Sequence, residues 1–300
     1  MLLKPGRRGI PPCRHLAIRC RPVTSGFVLL GIVLALAIVY LTLSRKHQSK
    51  FLALAEYWVY LPGTKMPAQE QMMDRMLRGN PYTRRGVSPI GPKEGLVFSD
   101  IRLHMALVLR TKNPHIFRPD LFEEHIKPSP QLLESLKQAQ SLVKLRYASD
   151  IPLTDKTHLQ FLVHAADAIA ELESGTAIFD VKAERLISRA ELQQDLKENL
   201  DATVYAMHTQ VLWRPSIQGG VAETRGLAKI GLTDLRTGEM EPDQRIIATN
   251  VLTEAVRCIW ENGALPESVE IVTFDDTFRV QFEKMKDALT KVRILRVQAS

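Results

Sequence analysis

The sequence predicts an α+β domain that follows one transmembrane helix. Residues 26–43 form an apolar run without a charged side chain, which is long enough to span hydrocarbon. From residue 96 onward, strand-like and helix-like patterns mix without a repeated βαβ unit. The predicted organisation is therefore a basic N-terminal arm (1–25), the transmembrane helix (26–43), a juxtamembrane helix with a Pro/Gly-rich linker (44–95) and a single mixed domain (96–300).

The net charge of +7 is concentrated near the N-terminus. Residues 1–25 carry six cations and no acid, whereas residues 98–300 carry 25 cations and 29 acids. A nucleic-acid-binding domain needs Lys and Arg on its own surface to neutralise phosphates, so no nucleic-acid partner is predicted. A basic arm beside a bilayer is instead attracted to anionic lipid headgroups.

The apolar run is predicted to be an uncleaved signal anchor. At 1.5 Å rise per residue its length covers about 27 Å, and it ends in Ser44-Arg45-Lys46, not in the small residues of a signal-peptide cleavage site. A cleaved signal peptide is the alternative. The cations before the run outnumber those after it, which predicts a single-pass protein of the bacterial inner membrane with a cytoplasmic N-terminus and the domain outside the cytoplasm. A cytoplasmic domain remains the alternative. The predicted partners are the lipid bilayer, through residues 26–43, and a protein.

Apolar spacing predicts the elements of the remaining chain. Residues 47–61 continue in helical character, and a short helix is predicted at 67–78. Ile101 to Leu109 alternate with polar residues as a half-buried strand does. Further helices are predicted at 128–145, 158–172, 189–199 and 242–261, and further strands at 176–180, 204–213, 269–274, 277–282 and 292–297.

Three of these helices carry boundary signals. Ser188 and Glu191 have the spacing of a capping box, in which each side chain satisfies a free backbone N–H. Pro242 suits the first turn of a helix. Gly175 and Gly263 are natural C-terminal stops.

No strong catalytic motif is present in the sequence. There is no Walker loop, Rossmann glycine fingerprint, His-Glu-x-x-His motif or Gly-x-Ser-x-Gly elbow, so no catalytic residue or cofactor is predicted. His158, His164 and Asp167 share one predicted helix, but the two histidines are six positions apart and do not stack one turn apart, so no metal site is predicted. Cys258 is interpreted as a small buried residue.

The best candidate for a ligand site is the segment 224–231. Gly226 and Gly231 permit a close approach of the backbone, and Arg225 and Lys229 are cations suited to an anionic ligand. The alternative is a Gly-rich turn into a strand, with both cations paired to carboxylates of the protein itself.

The chain resembles bacterial proteins that share a domain of unknown function. The resemblance is carried by His158-Leu159-Gln160-Phe161, by the strand through Phe179-Asp180, and by Thr224-Arg225-Gly226-Leu227 with Lys229 and Gly231. It covers residues 96–265 and favours a bacterial envelope protein, and it implies no activity or ligand.

These observations predict a membrane-anchored, non-catalytic binding or scaffolding domain. The alternative is an enzyme or receptor for an anionic small molecule bound near Arg225 and Lys229, with a histidine such as His208 beside them.

Overall fold

The computed structural model describes residues 52–121, 125–273, 276–284 and 289–297. They form two β-sheets and seven α-helices. The first sheet contains β1 (Ala53–Leu61), β2 (Leu103–Leu109), β3 (Ser141–Ser149), β4 (Ala177–Asp180) and β5 (Arg185–Ser188). The second contains β6 (Gln210–Pro215), β7 (Gly220–Arg225), β8 (Asp234–Thr237), β9 (Ser268–Val272), β10 (Thr277–Lys284) and β11 (Leu289–Val297). The helices are α1 (Gln69–Leu77), α2 (Pro92–Gly95), α3 (Pro130–Gln138), α4 (Thr157–Leu172), α5 (Arg189–Glu198), α6 (Tyr205–His208) and α7 (Arg245–Asn262).

The first sheet is antiparallel and has β1 at its centre, in the order β2-β3-β1-β4-β5. In β1, Ala53, Ala55 and Tyr57 are buried and alternate with partly buried neighbours, which is the pattern of a strand. The sequence predicts helix at 47–61, but residues 53–61 are a strand because β3 and β4 pair with them on both sides. The folded unit therefore includes residues that precede position 96.

The helix α4 supplies much of the core that covers this sheet. Leu159, Leu162, Ala166 and Ile169 are fully buried in the same hydrophobic cluster as Tyr57 and Val59, so the helix predicted at 158–172 is confirmed. The helix α3 contributes Leu132 and Leu136 to a second cluster, which also holds Tyr60, Leu142 and Phe179. Because Tyr57 and Tyr60 have opposite parity in β1, the two clusters lie on opposite faces of the sheet.

The helix predicted at 128–145 is too long. It ends at Gln138, and residues 141–149 form β3, which pairs with both β1 and β2. A short buried run such as Ser141 to Val143 fits either a buried helix or a central strand, and the pairing decides for the strand.

The second sheet has the order β6-β7-β8-β11-β10-β9, and β8 and β11 are its parallel pair. The helix α7 buries Val251, Leu252, Ala255 and Ile259 and lies against β6 and β7. It ends at Gly263, whose φ of 66° is left-handed, as the sequence predicts. The strands predicted at 269–274 and 277–282 are confirmed as β9 and β10, which pair antiparallel.

The predicted fold class needs a correction for its membrane helix. Within residues 52–121, 125–273, 276–284 and 289–297, every helix is too short or too polar to cross a membrane. The longest, α7, carries Arg245, Glu254, Arg257 and Glu261. The predicted transmembrane segment 26–43, on which the signal-anchor and single-pass descriptions depend, and the arm 1–25 lie outside the described residues. The predicted bilayer contact and localisation stay predictions.

Candidate functional site

The segment predicted as a ligand site is a tight turn between β7 and β8. Gly226 and Gly231 flank a 3₁₀ turn at Leu227–Ile230 and have φ angles of 109° and 80°. A Cβ on Gly226 would lie 2.1 Å from the backbone oxygen of His208, and one on Gly231 would lie 2.8 Å from that of Leu52. Both positions therefore need glycine for the packing of this turn.

The turn carries Lys229 into the interior of the protein. The Lys229 side chain is fully buried and forms an ion pair with Asp180 at the end of β4. Its Nζ atom also donates to the Tyr57 hydroxyl at 3.1 Å and lies 3.4 Å from Nδ1 of His208. Tyr57, Asp180, His208 and Lys229 are called here the buried tetrad.

The hydrogen bonds of the buried tetrad form a chain in which Lys229 donates to Tyr57 and Tyr57 donates to His208. Nε2 of His208 contacts the Ala202 carbonyl, which accepts only, so this nitrogen carries the proton. Nδ1 is then an acceptor and receives the Tyr57 hydroxyl at 2.9 Å. The Tyr57 oxygen in turn accepts from Lys229. Every member of the tetrad thus has a protein partner.

Burial dominates the electrostatics of the buried tetrad. It lowers the pKa of Lys229, an effect that Asp180 opposes. It also raises the pKa of Tyr57 well above its usual range and, with a contribution from Lys229, lowers that of His208 well below its own. The nearby His158 donates from Nε2 to the Lys229 carbonyl at 3.1 Å, and burial lowers its pKa to about 4.

The buried tetrad has no room for an organic substrate. The cavity that reaches Tyr57 and Asp180 has a free volume of about 10 Å³, close to the smallest space that holds one water molecule. The tetrad therefore joins strands β1 and β4 of the first sheet to α6 and the turn before β8.

Arg225 belongs to a different ionic group. It pairs with Glu184 at 2.5 Å and with Glu223, and Arg214 pairs with the same two carboxylates at 3.2 and 3.0 Å. The two positive charges of the arginines are thus matched by the two negative charges of the glutamates. Arg225 and Lys229 lie in one turn, but among the described residues they share no ion-pair partner.

The predicted site residues Arg225, Gly226, Lys229 and Gly231 are therefore placed together along the backbone, with both cations paired to acids. An anionic ligand would have to displace those acids, and the ligand site at these residues stays a prediction. Sequence reasoning placed His208 near Lys229 but missed Tyr57 and Asp180. The signal for Asp180 was a carboxylate at the end of an apolar strand.

Asp167, considered above as a metal ligand, binds arginines. It is fully buried and accepts from Arg75 at 2.8 Å, from Tyr82 at 3.0 Å and from Arg189 at 3.3 Å. These bonds tie α1 and α5 to α4. Across the part of the chain that the structure describes, no three His, Cys, Asp or Glu side chains are grouped so as to hold a metal ion.

An open cleft lies between the beginning of α4 and the end of α7, with a free volume of about 760 Å³. We call it the helix-end cleft. Its walls come from α2 and the loop before it, from the start of α4 and the loop before that helix, from residues 200–203, from Ile230 and from the C-terminal end of α7. The charged residues of its lining are Arg84, Lys93, Glu94, Asp155, Lys156, Asp201 and Glu261.

Gln160, in the first turns of α4, lines the helix-end cleft and is 95% buried. Its amide nitrogen donates to the carbonyls of Pro89 and Leu200, both at 3.1 Å. These two bonds fix the orientation of the amide, because a flipped amide would place its oxygen against two other oxygens. Oε1 of Gln160 is buried and has no donor among the described residues.

A second open cleft of about 750 Å³ lies between the first turns of α3 and α5. Ser129 and Ser188 line it, but their hydroxyls cap these helices by accepting from Leu132 and Glu191. Its charged pair Glu171 and Arg189 belongs to the network around Asp167. These two hydroxyls and this ion pair are thus occupied within the protein.

No protein-family model, curated protein or solved structure matches this chain. The resemblance to bacterial proteins with a domain of unknown function stays a prediction.

Proposed function

We propose that this chain is a non-catalytic binding protein whose ligand occupies the helix-end cleft. The observation that carries the proposal is an open cleft framed by the ends of α4 and α7, with the side chain of Gln160 fixed in its wall by two hydrogen bonds. The volume of about 760 Å³ lies within the usual range of small-molecule sites.

The chemistry of the lining favours binding over catalysis. General acid–base catalysis near neutral pH most often uses histidine, and nucleophilic catalysis needs an activated side chain. The described lining contains no His, Cys or Tyr. His158, His208 and Lys229, which have suitable chemistry, are enclosed elsewhere and hydrogen-bonded within the protein.

The helix-end cleft also has a rigid frame, as a binding site needs. The amide of Gln160 joins the loop at Pro89 to the loop at Leu200, and α4 and α7 are the two longest helices of the described chain. Binding therefore does not require these walls to be assembled by the ligand.

The test is a fragment screen on the full-length chain, read by protein NMR. Thr154 is an exposed residue of the lining, and Thr154→Trp fills part of the cleft. Thr64 is exposed elsewhere, so Thr64→Trp is the matched control. We expect fragments whose affinity falls at least tenfold in Thr154→Trp and is unchanged in Thr64→Trp. Hits that are equally insensitive to both substitutions would place binding elsewhere and refute the proposal.

A further inference from the structure

We infer that this chain forms a two-fold symmetric dimer in which strand β2 pairs antiparallel with β2 of a second copy. β2 is an outermost strand of the first sheet, and β3 is its neighbour on one side among the described strands. An edge strand presents backbone N–H and C=O groups that another strand can bind. Pairing at this edge is independent of the proposed function.

The four edge strands of the two sheets differ in how they are protected. Natural edges often carry charged side chains or proline, which oppose pairing with another chain. β5 carries Arg185, β6 carries Arg214 and Pro215, and β9 carries Glu270. β2 reads Leu-His-Met-Ala-Leu-Val-Leu, without lysine, arginine, acid or proline, and it is the longest of these edges in the described chain. β2 is therefore the edge best suited to pairing.

The hydrogen bonds to β3 show which backbone groups of β2 are free. The Ala148 N–H donates to the Arg102 carbonyl, and the Arg110 N–H donates to the Gln140 carbonyl. In this register the even-numbered residues of β2 bond to β3. The odd-numbered residues therefore direct their N–H and C=O groups away from the sheet.

The free backbone groups of β2 are symmetric about Ala106. The N–H of Leu103 donates at 2.9 Å within the turn before β2, and the C=O of Leu109 accepts at 3.1 Å within the turn after it. Between these ends, the N–H and C=O groups of Met105 and Leu107 have no partner among the described residues. With a two-fold axis at Ala106, Met105 of each copy lies opposite Leu107 of the other, and all of these groups gain partners.

The side chains of β2 favour a second copy as the partner. Leu103, Met105 and Leu107 are only partly buried against the first core cluster, and Val108 is only partly buried against the second. These clusters lie on opposite faces of the sheet, so a paired strand would cover apolar surface on both. An interface between identical copies must be complementary to itself, which an apolar strand with symmetric free groups satisfies. β2 has no charged side chain to attract a charged partner.

Ala106 is suited to the position on the two-fold axis. It is exposed, and with its own N–H and C=O directed to β3 it would form a non-hydrogen-bonded pair with Ala106 of the second copy. The Cα atoms of such a pair are about 4.5 Å apart, and two methyl groups fit this separation. A charged side chain at this position would meet its own copy across the axis.

Sedimentation equilibrium of the full-length chain tests the dimer. One strand pair buries less surface than the about 1,600 Å² of a standard interface, so we expect a reversible monomer–dimer equilibrium. Ala106→Lys should weaken the dimer at least tenfold. Val272→Lys, at an exposed position of the edge strand β9, is the matched control and should not. A chain that is monomeric at every concentration, a dimer that persists in Ala106→Lys, or an equal loss in both variants overturns the inference.

Mixing two variants separates loss of pairing from damage to the fold. Ala106→Glu should also be monomeric, because like charges meet at the axis. A mixture of Ala106→Glu and Ala106→Lys should form a dimer again, since opposite charges directly across a strand pair attract. A mixture that stays monomeric overturns the inference.

A cysteine at the axis tests the register. The Cα separation of about 4.5 Å lies within the range of disulfides, so oxidised Ala106→Cys should be linked through position 106, as identified by mass spectrometry of the linked peptide. His104→Cys, exposed in the same strand, would lie opposite Val108 of the second copy and should not link to itself. Linkage at both positions, or at neither, overturns the inferred pairing.

Discussion

Lys229 and Asp180 form a fully enclosed ion pair between the turn after β7 and the end of β4. The pair joins two parts of the chain that belong to different sheets. The free energy of transferring two charges from water into the interior is unfavourable, and their attraction compensates only when both partners are present. Removing one partner of the pair should therefore lower the free energy of unfolding more than replacing both partners together.

Removing Lys229 alone should destabilise the fold strongly. In Lys229→Met, Asp180 stays buried without its cation, and the Tyr57 hydroxyl loses a donor, so the free energy of unfolding should fall by about 3–5 kcal/mol. Asp180→Asn in the same chain removes the stranded charge and keeps an acceptor for the Ala183 N–H. The double variant should recover part of the loss. Urea unfolding of the four chains measures the coupling, and additive losses would contradict the enclosed pair.

Gly226 should tolerate no side chain. Gly226→Ala forces a Cβ against the His208 carbonyl at a φ of 109°, and the combined clash and strain should cost about 2–4 kcal/mol. Gly63→Ala is the control, because its Cβ meets no atom within 4 Å and its φ is not left-handed. Thermal unfolding should show a large fall in the melting temperature for the first variant alone. A similar fall in both would mean that the turn is not the cause.

The parts of the fold that local spacing determines were predicted well. The helix α4 has apolar residues at helical spacing, and α5 has its capping box, in which Ser188 and Glu191 exchange bonds at 2.6 and 3.1 Å. The strand β1 was missed because its helix-compatible sequence becomes a strand only through pairing with β3 and β4. Its place at the centre of a sheet is a tertiary property.

The sites were only partly predictable for the same reason. The spacing of Gly226, Lys229 and Gly231 indicated a special turn, but Tyr57 is 172 positions from Lys229 and reaches it only through the fold. The helix-end cleft is built from five separate parts of the chain. Gln160 has an ordinary place in an amphipathic helix, and its free oxygen is a consequence of two carbonyls that only the structure brings together.

Asp167 should matter more for stability than Glu171, although both bind the same two arginines. Asp167 is fully enclosed, whereas Glu171 is 41% exposed. Asp167→Asn removes a negative charge that compensates the buried Arg75. This substitution should lower the free energy of unfolding by about 2–4 kcal/mol. Glu171→Gln should cost less than about 1 kcal/mol, because water screens it. Urea unfolding compares them, and equal losses would contradict the role assigned to burial.

Acid should destabilise this protein through its buried histidines. Burial lowers the pKa of His158 to about 4 and that of His164 to about 3, and it lowers that of His208 as well. A histidine in the unfolded chain has a pKa of about 6.5. Between pH 6.5 and 4 these histidines are therefore more protonated in the unfolded state than in the folded state. The free energy of unfolding should therefore fall as the pH decreases through this range, by up to about 1.4 kcal/mol per pH unit for each histidine.

Replacing the buried His158 by Gln, which keeps a donor for the Lys229 carbonyl, should make this slope shallower. His104→Gln, at an exposed position, should leave the slope unchanged. The measurement is the urea midpoint at half-unit steps from pH 7 to pH 4. An identical slope in the wild-type chain and His158→Gln would show that His158 takes up its proton as easily in the folded state as in the unfolded chain.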